Sequence, residues 1–224
     1  IMRATAAIPD RARAESRTSG LMSFVISIGT AVVILAVALL LLITPIWTHF
    51  ALSASGATSY FEAGQAFNLS DATIVELVAG PGTFSAFSAD EAGHMRDVRA
   101  VLLAFLVAAA MFVALIALTL TRASGDARAW RALARGGLVL ALGLVVLGVF
   151  AALAFGVAFE LFHRLLFPGG NWSFPEGSLL ITLYPYGFWQ LSAAAFAVLS
   201  IGAGLIVWFV ARRRSRALAR GADA

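Results

Sequence analysis

Two runs of this chain set an imidazole beside carboxylates. Glu91, His94 and Asp97 are spaced i, i+3, i+6, so on a helix they lie roughly along one side. Glu160 precedes His163 by three, which repeats the acid–imidazole spacing. A neutral imidazole near pH 7 is a general base, and its protonated form a general acid. A neighbouring carboxylate can fix its tautomer and favour its charged form. Each run also has a plainer account. Acids early in a helix meet the positive end of its dipole, which explains Asp90 and Glu91 but not His94. The aromatic residues around His163 would suit an interfacial belt as well as an enclosure for an acyl chain.

Other chemistry is poorly supplied. Cysteine is absent, which excludes disulfides, thiolate zinc sites, iron–sulfur clusters and thiol nucleophiles. Lysine is absent too, so all sixteen basic residues are arginine and no Schiff-base amine exists. No G-x-S-x-G, H-E-x-x-H or phosphate-binding glycine pattern occurs. His94, Asp97 and His163 lack the spacing of a metal site, so no metal and no cofactor is expected.

The elements that must position these residues are membrane helices. Of the 224 residues, 61% are hydrophobic and 12% charged, about half the charge of a soluble domain. A soluble surface cannot be made from that composition. Four stretches are long enough and free of charge enough to cross a bilayer: 21–46, 100–121, 136–159 and 188–211. In lipid they must be helical, because a helix satisfies its own backbone hydrogen bonds. The first exceeds the apolar region of a signal peptide and is read as a retained helix.

Arginine placement sets the orientation. Thirteen of the sixteen lie in three places: the N-terminal tail, the 122–135 connection and the C-terminal tail. By the positive-inside rule, residues 1–20, 122–135 and 212–224 are cytoplasmic, while 47–99 and 160–187 lie outside. The net charge of +4 therefore reports topology and lipid contact rather than nucleic acid. The expectation is an all-α integral membrane protein, one domain over 1–224. Its four transmembrane helices carry a small extracytoplasmic cap formed by the first and third connections.

The outer connections hold eight of the twelve acids, and all three histidines fall at the outer boundary: His49, His94 and His163. A short cap helix is expected to start at Ser70 or Asp71, with Ile74, Val75, Leu77 and Val78 on its apolar face. Gly80-Pro81-Gly82 ends it. Phe159, Phe162, Phe167, Trp172, Phe174, Tyr184, Tyr186, Phe188 and Trp189 make the region after the third span the most aromatic of the chain.

Three segments carry a family resemblance. Glu91-Ala92-Gly93-His94-Met95-Arg96-Asp97-Val98 resembles the E-x-x-H-M-x-D-V signature of the bacterial lipoprotein intramolecular transacylase (Lit) family. Phe162-His163 through Trp172-Ser173-Phe174 resembles its F-H-x-x-F-F-x-G-x-x-W-x-F signature. Leu179-Leu180-Ile181-Thr182-Leu183-Tyr184-Pro185 is similar to the L-I-x-L-[FY]-P that follows. Two positions depart: Tyr186 stands where many members have glutamate, and Leu166 replaces one paired phenylalanine.

The resemblance implies a multi-pass protein of the bacterial cytoplasmic (inner) membrane with its active site at the extracytoplasmic face. It implies transfer of the sn-2 acyl chain of a diacylglyceryl lipoprotein to the α-amine of its N-terminal cysteine, giving the lyso form. His94 and His163 would be the catalytic pair. Glu91 and Asp97 would orient His94, with Glu160 beside His163, and Arg96, Asn171 or Trp172 would steady the oxyanion. Phe162, Phe167, Trp172, Phe174, Tyr184 and Trp189 would enclose the acyl chain. The implied partners are diacylglyceryl-modified lipoproteins and membrane lipids, with no nucleic acid and no obligate protein partner. Two rival readings use the same residues: an extracytoplasmic esterase with water as acceptor, and a non-enzymatic sensor or accessory protein whose histidines respond to pH.

Overall fold

The computed structural model describes residues 10–122 and 126–222, with side chains from Gly20 to Gly221. Arg3 of the N-terminal run, residues 123–125 of the second connection and the last two positions lie outside the described residues. Eight α-helices and one 3-10 turn follow one another, and no strand occurs among the described residues. They are α1 (Asp10–Leu42), α2 (Pro45–Ala54), the 3-10 turn (Ala57–Tyr60), α3 (Gln65–Val78) and α4 (Ala89–Arg122). Then come α5 (Ala127–Leu153), α6 (Phe155–Leu166), α7 (Leu179–Leu183) and α8 (Tyr186–Ala222). Four segments are long and apolar enough to span a membrane: Gly20–Leu42, Ala89–Arg122, Ala127–Leu153 and Tyr186–Gly221.

Helix ends differ from the charge-free stretches where a break carries no charge. The first stretch runs on to Ile46, but α1 stops at Leu42. Pro45 lacks an N–H and cannot continue a helix, so it opens α2 instead. The third stretch, 136–159, contains a break at Ala154 (φ −144°, ψ 53°). No proline marks it. It turns α6 so that Phe155 and Phe159 pack on Tyr186, at 5.0 and 6.1 Å between ring centroids. The short helix expected from Ser70 or Asp71 is α3, and it begins at Gln65, behind Gly64 at φ +79°. Ser70 is fully buried in mid-helix, 3.3 Å from the Tyr184 hydroxyl. A polar side chain that finds a tertiary partner imitates a cap in sequence.

The bundle is held by backbone approach. α5 packs most extensively on α8. A Cβ at Gly137 would lie 2.5 Å from the Gly204 carbonyl oxygen, and one at Gly204 would lie 2.7 Å from that of Gly137. Small residues at such crossings let helices gain dispersion contact that lipid would otherwise supply. Gly204→Val is therefore expected to destabilise the bundle by about 2 kcal/mol or more. Thermal unfolding in detergent reads this out against Gly143→Ala, a position with open space around it. Equal melting of both variants would contradict the close crossing.

The short elements between the spans pack into two clusters. One joins Ala51, Leu52, Ala57 and Ala66 to Leu183 and Phe188. The other joins Phe84, Ala92, Met95 and Leu180. Together they fix the start of α4 against α7, which is where the first histidine sits.

Candidate functional site

The start of α4 is a capping box. The Ser88 amide donates to Glu91 Oε2 at 2.9 Å, and the Glu91 amide donates to Ser88 Oγ at 3.4 Å. The other Glu91 oxygen accepts from the Leu180 amide at 2.7 Å, so one buried carboxylate closes α4 and pins α7. His94 follows three residues later on the same helix, with only 6% of its surface exposed. Its Nδ1 is buried and has no hydrogen-bond partner among the described residues.

The second imidazole arrives on α6. His163 Nδ1 donates to the Phe159 carbonyl at 2.8 Å. A carbonyl only accepts, so Nδ1 holds the proton and the Nε2 lone pair is free in the neutral ring. Burial pushes the His163 pKa below its ordinary value of 6.5, and the bond to Phe159 opposes that shift. The ring is therefore neutral at pH 7.

The two imidazoles meet. Their ring centroids are 6.1 Å apart and their planes 31° from parallel. Phe167 and His94 form a T-shaped pair at 4.9 Å, and Phe167 lies 5.9 Å from His163. Phe174 covers His94 at 5.7 Å. Phe159, Trp172 and Phe162 surround His163 at 4.1, 5.1 and 5.3 Å. The loop after α6 supplies most of this cover. Gly170, at φ +76°, turns it back, and Asn171 Nδ2 donates to Asp97 Oδ2 at 2.5 Å. That bond ties the loop to α4 one turn beyond His94.

The remaining candidates take other places. Glu91 holds backbone amides rather than the His94 ring. Glu160 pairs with Arg164 at 2.5 Å, not with His163. Both acids sit at the right helical spacing, but their side chains reach other donors. Asp97 engages Asn171, and Arg96 is exposed on α4. Tyr184 lies against Phe188 and Trp189, and Trp189 reaches Phe159 at 6.3 Å. These two stand behind the ring wall rather than on the histidines. Tyr186 packs on Phe155 and Phe159. His49 is apart: it pairs with Asp71 at 2.9 Å and stacks on Phe67, joining α2 to α3. No three His, Asp or Glu side chains converge to hold a metal ion among the described residues.

Sequence reasoning missed three contributors: the Phe159 carbonyl, Ser88 and the Leu180 amide. The S-x-x-E of Ser88 and Glu91 was a legible signal for a capping box. Phe159 lies four residues before His163, one helical turn. Nothing local announces Leu180, 89 residues beyond Glu91.

The arrangement offers two buried imidazoles, one with a free lone pair, in a mostly apolar enclosure. That suits proton transfer to and from an apolar-tailed substrate. The sequence profile of the lipoprotein intramolecular transacylase family, Lit, matches residues 22–189. An uncharacterized protein of Aquifex aeolicus (strain VF5) is 32% identical over 125 residues, 55% of this chain and 56% of that one. The match thus spans little more than half the length of that relative. Among solved structures, the fold is similar to the in meso structure of the membrane integral lipoprotein intramolecular transacylase Lit from Bacillus cereus. That likeness has a TM-score of 0.78 at 20% identity, over 90% of this chain and 97% of that one. A histidine-to-arginine variant of the same protein gives 0.76 at 18% identity, over 95% and 98%.

Proposed function

From its membership of the lipoprotein intramolecular transacylase (Lit) family, to which the chain belongs, we propose that this membrane protein is itself a transacylase. It moves the sn-2 acyl chain of a diacylglyceryl lipoprotein onto the α-amine of the N-terminal cysteine. The observation that carries the reading is the juxtaposition of His94 and His163, 6.1 Å apart inside an aromatic wall.

The chemistry needs no enzyme nucleophile. The substrate amine attacks the ester carbonyl, an N–C bond forms, and the C–O bond to the glyceryl oxygen breaks. The amine loses one proton and the glyceryl oxygen gains one, so the reaction is proton-neutral. His163 takes the amine proton on Nε2, the nitrogen left free by the bond from Nδ1 to Phe159. His94 stands beside it to pass a proton to the leaving oxygen. The aromatic wall confines amine and ester together, where effective molarity is worth about 7–11 kcal/mol. Asp97 acts indirectly, holding Asn171 and with it the loop that carries Trp172 and Phe174.

In this reading the helices α2 and α3, the 3-10 turn and α6–α7 form one extracytoplasmic cap, and both termini and the 122–135 connection face the cytoplasm. Its support is the arginine distribution. The chain acts as a single domain in the bacterial cytoplasmic membrane.

The test is direct. Purified protein is incubated with a diacylated lipopeptide bearing a free N-terminal amine, and the products are read by mass spectrometry. N-acyl, S-monoacylglyceryl product from the wild type and none from His94→Ala supports the proposal. Free fatty acid without N-acyl product would mark an esterase instead, and identical profiles would leave the histidines no catalytic role.

A pH dependence follows from His163. The base must be neutral to accept a proton, and burial holds its pKa below 6.5. Hence the acidic limb that His163 itself contributes is expected to be centred below pH 6.5, while the substrate amine, with an ordinary pKa of about 7.7–8.0, adds its own limb to kcat/KM. Stability moves the same way. Below 6.5 the unfolded chain binds a proton that the folded one refuses, so stability falls as pH drops toward the folded pKa. An NMR titration of the His163 ring with a midpoint above pH 6.5 would contradict its assignment as the neutral base.

A further inference from the structure

A second polar site lies at the far end of the bundle. The 27 residues of α5 span about 40 Å, so its first turns stand well away from the histidines that follow its last. There α1 and α5 touch backbone to backbone. A Cβ at Gly136 would fall 2.4 Å from the Ser27 carbonyl oxygen. Ser27 Oγ lies 2.9 Å from the Ala132 carbonyl and accepts from Arg135 Nε at 3.2 Å. Beside this crossing is a cavity of about 390 Å³, lined by Gly20 and Ser23 of α1 and by Arg128, Arg131, Ala132 and Arg135 of α5.

The lining is unusual for its charge. Arg128, Arg131 and Arg135 are spaced i, i+3, i+7 and share one face of α5. None forms an ion pair with an acid among the described residues, where the ion pairs are His49–Asp71 and Arg164–Glu160. Among the described residues, Asp126, two positions before Arg128, caps α5 by accepting from the Arg128 amide at 2.7 Å. Guanidinium groups fork toward tetrahedral oxyanions. The small residues Gly20 and Ala132 leave room for one.

The depth of the pocket decides the source of the anion. The charge-free stretch of α5 begins at Gly136 and that of α1 near Gly20, so the arginines lie at headgroup level. Exposed Leu21 and Phe24 on α1 and Val139 on α5 continue the apolar surface from the pocket along the span. A lipid phosphate seated here has somewhere to lay its acyl chains, and a free phosphate gains nothing from that surface. We propose that this pocket binds the phosphodiester headgroup of one anionic membrane lipid, in the leaflet opposite the histidine pair.

The arginines of α8 provide the contrast. Arg212 lies 5.2 Å from the Trp208 ring centroid and Arg213 lies 4.3 Å from that of Phe209. They carry the same charge but do not line that cavity. Native mass spectrometry of the full-length chain, titrated with phosphatidylglycerol or phosphatidylcholine, tests the proposal. One phosphatidylglycerol is expected to bind about tenfold more tightly than phosphatidylcholine. Arg128→Gln with Arg131→Gln should erase the preference. Arg213→Gln with Arg214→Gln, an equal loss of charge, should keep it. Gly20→Leu adds no charge, meets open space at its Cβ and narrows the pocket, so it should weaken binding too.

Equal affinity for both lipids would overturn the proposal. So would equal loss in the two arginine pairs, or an unaffected Gly20→Leu, either of which means surface charge alone. Displacement by inorganic phosphate in millimolar excess would overturn the lipid source. Thermal unfolding of each variant separates a lost site from a lost fold.

Discussion

Replacing His94 with alanine is expected to lower the rate of acyl transfer to the lipopeptide amine by about 10²–10⁴-fold, the range removed with one general acid or base. The ring sits with 6% exposure between Phe167 and Phe174 and faces His163. No other imidazole reaches that point, since His49 is held by Asp71 between α2 and α3. His163→Ala should cost as much, and the double variant little more than either. Groups that act as one unit are not additive. His94→Gln fills most of the volume without the ring chemistry, so its activity should fall alike while its melting temperature stays near wild type. If the two single losses multiply in the double variant, the histidines do not act as one unit.

Glu91→Ala should produce the largest loss of stability. The carboxylate is 3% exposed and accepts from two backbone amides, Ser88 at 2.9 Å and Leu180 at 2.7 Å. Removing it undoes the α4 cap and leaves the buried Leu180 amide without its acceptor. Together these cost about 3–5 kcal/mol. For a chain of this size that is a fall of about 10 °C in Tm, read by thermal unfolding in detergent. Glu91→Gln keeps one acceptor oxygen and should lose about half as much. Activity should fall with stability, because His94 is placed by the same first turns of α4. A melting temperature within about 1 °C of wild type would mean the capping box and the α7 anchor carry no weight.

Glu91 also shows what spacing can and cannot say. Its distance of three from His94 reads as an acid–imidazole pair, and so does Glu160 with His163. Helical periodicity does put each pair on one side. It does not say which donor a flexible carboxylate will reach. The Leu180 amide, far along the chain, takes Glu91, and Arg164 takes Glu160. The aromatic residues divide in the same way. Phe162, Phe167, Trp172 and Phe174 contact the histidines, whereas Tyr184 and Trp189 were indistinguishable from them in sequence and stand one layer back.

Membrane character, four helical spans and family membership were legible from residue order alone. Each rests on local facts: lipid forces uncharged stretches of about 20 residues into helices, and the signature residues sit in continuous runs. Tertiary structure decided the rest. It broke the third span at Ala154, where the aromatic packing of Phe155 and Phe159 on Tyr186 does what no proline announced. It brought His94 and His163, 69 positions apart in the chain, within 6.1 Å of each other. Such contacts depend on where separate helices come to rest, and hydrophobic pattern constrains a helix's face far more tightly than its partner.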